Sequence, residues 1–200
     1  MNSQEKIVKY ATDEFLVNGF YKTSMDHLAS GMKISKKTIY KFFPSKYSLL
    51  EKVMLTFQIK IKTDLDEITN SDRGLVEKIH QVSAYFAKFS LKINKKLLND
   101  IFKHQPELWK KLDNFRSSVI ESVWEKLIIE GKKDGLIIDK SNKIIVTIIL
   151  SALTGVINPK FLVESNISTN EAFKETFSII INGILTEKGK KEFEKQQWKI

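Results

Sequence analysis

Lys36, Lys37, Thr38, Tyr40 and Lys41 crowd three ammonium groups, a hydroxyl and a phenol into six residues, with no acid among them. Such groups suit contact with phosphates and with the edges of bases. A helix carrying them can enter a major groove about 12 Å wide and present its first residues to base edges. The cations are lysines because the chain holds only two arginines, Arg73 and Arg116. Lysine neutralises phosphate as a point charge but lacks the fork that grips guanine bidentately. Around this front, Ser35 opens the lysine-rich helix, Thr23 and Ser24 open the helix before it, and Lys46 opens the one after it. At such openings, backbone N–H groups and the helix dipole favour an anion. Contacts of that kind fix register, while the helix front reads sequence. Residues 1–50 carry eight Lys against two Glu and two Asp, and the whole chain carries 33 Lys+Arg against 24 Asp+Glu, a net +9. That surplus points to nucleic acid, an anionic membrane or an acidic protein as partner. A plain solvated lysine face would show the same composition.

The elements that must position this face are helices. Ile7, Ala11 and Phe15 recur every four residues with Val8 alongside, which predicts a helix from Ser3 to Val17. Asn2 and Glu5 form a capping box at its start, and Gly19 is its stop. A short second helix turns Met25, Leu28 and Ala29 inward, and the chain breaks at Gly31 to Ile34. The third helix runs from Lys36 to Phe43 and ends at Pro44. Its back, Ile34, Ile39 and Phe43, docks on Leu28, Ala29, Ala11 and Phe15. Two short helices joined by a tight turn and braced by a third are a helix-turn-helix. A fourth helix follows from Ser45, and longer helices fill the rest, with a capping box at Ser168 and Glu171. The expected fold is all-α: a helix-turn-helix domain over residues 1–46 and a larger helical bundle over 47–200.

Other chemistries find little support. With no cysteine, thiolate catalysis, Fe–S clusters and Cys-based zinc sites are excluded. His27, His80 and His104 are scattered, so no metal site is expected. Gly189 stands alone among lysines and makes no phosphate loop, and neither a nucleophile elbow nor paired carboxylates appear. An enzyme and a cofactor are therefore not expected. The start of the chain is polar rather than signal-like. Its most apolar stretch, Ile144 to Ile157, falls short of the roughly 20 residues that span a bilayer. The reading is cytoplasmic, without membrane contact. The one candidate for a membrane-surface helix is residues 188–200, with Phe193 and Trp198.

Residues 5–50 resemble the DNA-binding domain of the TetR family of transcriptional regulators. The matching run is Ile7, Ala11, Phe15, Gly19-Phe20, Thr23-Ser24-Met25 and Leu28-Ala29, then Ile34-Ser35-Lys36-Lys37-Thr38-Ile39-Tyr40-Lys41-Phe42-Phe43-Pro44-Ser45-Lys46 and Leu49. Three positions depart from the family's pattern. Lys33 stands where glycine is common, at a cost of about 1 kcal/mol if it turns left-handed. Phe42 replaces a Tyr or His that contacts phosphate, which weakens that interaction. Tyr47 stands where a Glu often caps the fourth helix, so that cap is expected to be missing.

The resemblance implies a homodimer that binds a small-molecule effector, and so a repressor released from a palindromic operator. Ile145, Ile149 and Leu153, with Phe173, Phe177, Ile181 and Ile184, are the candidate dimer interface, because both segments are apolar around most of the helix. The alternative is that they fill one chain's core. Candidate effector-pocket residues are Phe86, Phe89, Phe102, His104, Trp109, Trp124 and Phe161. Without an acidic or Arg cluster beside them, they favour an apolar or aromatic effector. A DNA-bound adaptor whose bundle recruits a protein, with no small-molecule switch, is the competing function.

Overall fold

The computed structural model describes residues 2–92 and 95–195, the side chains of 89–99 excepted. The local signals build helices where expected. Asn2 and Glu5 cap each other reciprocally to start α1 (Ser3–Asn18), and Gly19 ends it at a positive φ of 82°. Ser24 caps α2 (Met25–Gly31), and Ser35 caps α3 (Lys36–Phe42). The long helix α4 spans Lys46–Thr69, followed by α5 (Leu75–Lys92), α6 (Lys95–His104) and α7 (Pro106–Lys133). Then come α8 (Asn142–Val156), α9 (Pro159–Glu164), α10 (Thr169–Ile184) and α11 (Glu187–Lys195). Among the described residues the one β-type pairing is a single antiparallel bridge between Ile137 and Leu185. The expected all-α class holds. The short α9 helix was not expected from the sequence; Asn158 caps it and Pro159 opens it, a pairing that suits the first turn of a helix.

The chain packs as two compact units, one of residues up to Ile61 with Lys92–Asp113, the other of Lys62–Leu91 with the chain from Asn114 on. The first unit therefore reaches beyond residues 1–46. Helices of sixteen, seven and seven residues enclose little apolar surface by themselves. Their core of Ile7, Ala11, Phe15, Leu28 and Ile39 is completed by Leu49, Leu50 and Val53 of α4, Ile101 of α6 and Leu108 of α7.

In the second unit α8 packs on α10. Ile145, Ile149 and Leu153 turn inward from α8, and Phe173, Phe177, Ile181 and Ile184 from α10. All seven residues expected at a dimer interface are thus buried within the single chain. A helix apolar all round does not reveal which stripe faces its own core. The side chains left outward are Ile144 and Ile148 on α8, each 59% exposed, and Ile179 on α10, 74% exposed. Gly189 also has a role its lone place among lysines does not announce. It is buried, and a Cβ there would lie 2.2 Å from the Leu136 carbonyl oxygen, so only glycine lets α11 lie against that backbone.

Candidate nucleic-acid interface

The α3 helix is held from behind and open in front. Ile39 is fully buried, while Lys36, Lys37, Tyr40 and Lys41 are exposed and Thr38 is half-buried. The cap orders its first turn: the Thr38 N–H donates to Ser35 Oγ at 3.0 Å, and the two hydroxyls lie 2.8 Å apart. The turn into α3 passes through Lys33 at φ 54°, the left-handed conformation anticipated there, with the Ile34 N–H donating to the Ala29 carbonyl at 3.0 Å. Lys36 is less available than its neighbours. Its ammonium donates to Asp26 Oδ2 at 2.9 Å, and that hydrogen bond and charge raise its pKa. An acid in the first turn of α2 thus reaches across to the front of α3, ten residues away in sequence.

Of the groups expected around the front, two stand differently and Ser24 stands as expected. Thr23 is fully buried, with its hydroxyl donating to the Gly19 carbonyl at 2.9 Å. It closes the α1–α2 turn and cannot meet a phosphate, which corrects its assignment to the DNA-binding set. Ser24 is exposed, and its hydroxyl accepts the His27 N–H at 3.0 Å. Lys46 folds its amine 4.3 Å above the Phe20 ring and donates to the Tyr21 carbonyl at 3.4 Å. Burial there lowers its pKa, and the Asp100 carboxylate opposes that shift. The side chain is engaged with aromatic rings and a carbonyl, not extended toward solvent.

The cap expected to be missing at the start of α4 is made by another residue. Ser45 and Ser48 bond reciprocally, Ser48 N–H to Ser45 Oγ at 3.0 Å and Ser45 N–H to Ser48 Oγ at 3.1 Å. Serine at the third position does what Glu does in a capping box. Tyr47, freed from that task, packs on the core, as does Phe42.

A polar cluster ties α1 to α2. His27 Nε2 lies 2.6 Å from Glu14 Oε2, and Asn18 donates to the same carboxylate oxygen at 2.8 Å. The hydrogen bond with His27 does most to hold the Glu14 carboxyl below its ordinary pKa, with Asn18 and Tyr10 adding to it and burial opposing.

The expected pocket residues divide between the units. Phe102 and His104 are exposed in the first unit. There Phe102 meets Trp109 edge-on at 5.2 Å, and His104 lies 4.5 Å from the Tyr21 ring. In the second unit Phe86 lies 5.9 Å from Phe173, and Trp124 lies 6.0 Å from Phe177, in one chain of rings. Phe161 is half-buried on α9. Phe89 lies outside the described side chains, and Trp198 outside the described residues. Phe193, in the one segment weighed as a membrane-surface helix, stacks on His80 of α5 at 4.5 Å. Among the described residues no three His, Asp or Glu come together to hold a metal, and no helix is long and apolar enough to cross a membrane.

Residues 7–53 match the model of bacterial regulatory proteins of the tetR family. The chain is 25% identical over 168 residues to the uncharacterized HTH-type transcriptional regulator YvaF of Bacillus subtilis, a match that covers 82% of this chain and 86% of that protein. Its fold is that of a transcriptional regulator of the TetR/AcrR family from Thermobifida fusca, with TM-score 0.64, 22% identity and coverage of 90% and 97% of the two chains. A putative transcriptional regulator from Saccharomonospora viridis, solved in complex with choline, shares the fold at TM-score 0.72 and 14% identity, covering 92% and 98%.

Proposed function

We propose that this chain is a DNA-binding transcriptional regulator of the TetR family, whose model its residues 7–53 match, and that it is a homodimeric repressor released from a palindromic operator by a small effector. The observation that carries the reading is the front of α3. Lys37, Tyr40 and Lys41 are exposed on a helix whose back is fixed by buried Ile39. Ser24 and the first turns of α2 and α4 supply the phosphate contacts that set its register. Residues 1–46 read DNA, and residues 47–200 hold the effector and the second copy.

Dimerisation is supported by the outward face of α8 and α10. Ile144, Ile148 and Ile179 are exposed large apolar side chains on two helices already packed together. A twofold dimer that reads a near-palindromic site needs its two α3 helices one turn of DNA apart, about 34–36 Å. The effector reading rests on the Phe86, Phe173, Phe177 and Trp124 rings, which suit an apolar or aromatic molecule. The Saccharomonospora viridis protein of the same fold holds choline. An effector releases DNA only if it binds the non-reading arrangement more tightly than the reading one. The work would be done in the cytoplasm, where the operator is.

Selection of bound duplexes from a random pool, at near-physiological salt, tests the reading. Enrichment of a palindrome is the expected result. Salt-sensitive binding without an enriched sequence would overturn it.

A further inference from the structure

Beside the end of α2 the surface of the first unit opens into a recess of about 370 Å³, lined by Lys6, Lys9, Tyr10, Asp13 and Met32. Its place relative to the turn before α3 follows from one close approach and from Met32 in its lining. A Cβ on Gly31 would lie 2.0 Å from the Tyr10 hydroxyl oxygen, so Tyr10 of α1 rests on the last residue of α2. Lys6 stands four residues before Tyr10, about one helical turn of 5.4 Å along α1. The recess therefore borders the Met32–Ser35 turn that leads into α3. Exposed Lys33 lies in that turn, and exposed Lys37 follows in the first turn of α3.

We infer that this recess is a second DNA-backbone site, in which Lys6 and Lys9 hold a phosphodiester bordering the groove that α3 enters. The inference rests on the DNA-reading function proposed above. Both lysines are exposed, and Tyr10, whose hydroxyl rests against Gly31, serves as a wall of the recess. Lysine suits an interaction of this kind, which needs a mobile point charge and no base recognition. Asp13 is the one acid in the lining, and it opposes an anion there. The site extends the DNA-facing surface from the reading helix to α1 and makes binding stronger without making it more selective.

The test uses the full chain and the duplex it selects. In Lys6→Gln/Lys9→Gln, the slope of log affinity against log salt should fall by about 0.9 for each phosphate no longer neutralised, so by about 2 for two protomers. Asp13→Asn should tighten binding several-fold, which a merely structural role for these residues would not produce. Lys160→Gln/Lys188→Gln removes equal charge from the second unit and should leave the slope near the wild-type value. Uncharged methylphosphonate links are then placed one at a time along the duplex. At one position in each half-site, the link should weaken the wild type and leave Lys6→Gln/Lys9→Gln no weaker. Losses that add at every position, or a slope unchanged in that variant, would overturn the inference while leaving the reading function standing. Failure of the wild type to select any duplex would overturn both.

Discussion

The helices α3 and α10 spend their residues in opposite ways. Of the seven residues of α3, Ile39 alone is buried, while α10 buries eight of sixteen, among them Phe173, Phe177 and Ile181. The stability of α3 comes from a cap, a turn, buried Ile39 and half-buried Phe42, and its exposed side chains are left for chemistry. The α10 helix is committed to packing, and only its outward stripe, marked by Ile179, remains for a partner. The contrast teaches that, in this protein, DNA recognition and stability are carried by different residues. Substitutions should therefore separate the two.

The largest expected effect is on stability. Phe177→Ala removes a ring that touches both Phe173 and Trp124, and chemical denaturation should show a loss of about 3–5 kcal/mol. Lys37→Ala and Tyr40→Ala should instead weaken specific DNA binding by about 1–3 kcal/mol each. Their unfolding midpoints should stay near that of the wild type, because both side chains are exposed. If Lys37→Ala destabilised the fold as Phe177→Ala does, the separation of roles would fail. A smaller effect of opposite sign is expected at Lys33, whose φ of 54° favours glycine. Lys33→Gly should stabilise the chain by about 1 kcal/mol in the same denaturation experiment.

The smallest effect is a pH dependence. The Glu14 pKa is lowered in the folded chain, chiefly by its hydrogen bond with His27, from an ordinary value of 4.5. A carboxyl with a depressed folded pKa adds stability above its unfolded pKa and loses it as pH falls through the folded one. Wild type should therefore be more stable than Glu14→Gln above about pH 5, and the gap should close as the medium is acidified below about pH 4. Thermal unfolding of both chains between about pH 3 and 6 reads this directly.

Much of the first unit was legible because its signals are local. Caps at Asn2, Ser24 and Ser35, the four-residue spacing of Ile7, Ala11 and Phe15, and Pro44 each act within a turn or two of helix. What escaped depends on residues distant in sequence. The Lys46 amine points where Phe20 and Tyr21 draw it, and Lys36 is held by Asp26. Ile101 and Leu108 join the core of the first unit from beyond residue 90. In α8, Ile144 and Ile145 are equally apolar in sequence, and only the packing on α10 decides that Ile145 turns inward and Ile144 outward. The Ser45–Ser48 pair shows a different gap: the signal was local, but a serine stood in for the expected glutamate.

We propose that the exposed front of α3 reads base sequence. The most direct test is the ratio of affinities for the selected palindrome and for a scrambled duplex of equal length, at one near-physiological salt concentration, for the wild type and for Lys37→Ala/Tyr40→Ala. The wild-type ratio should be about a thousandfold or more, and that of the variant should collapse while its binding to the scrambled duplex changes little. A wild-type ratio near one, or a variant that keeps the full ratio, would contradict it.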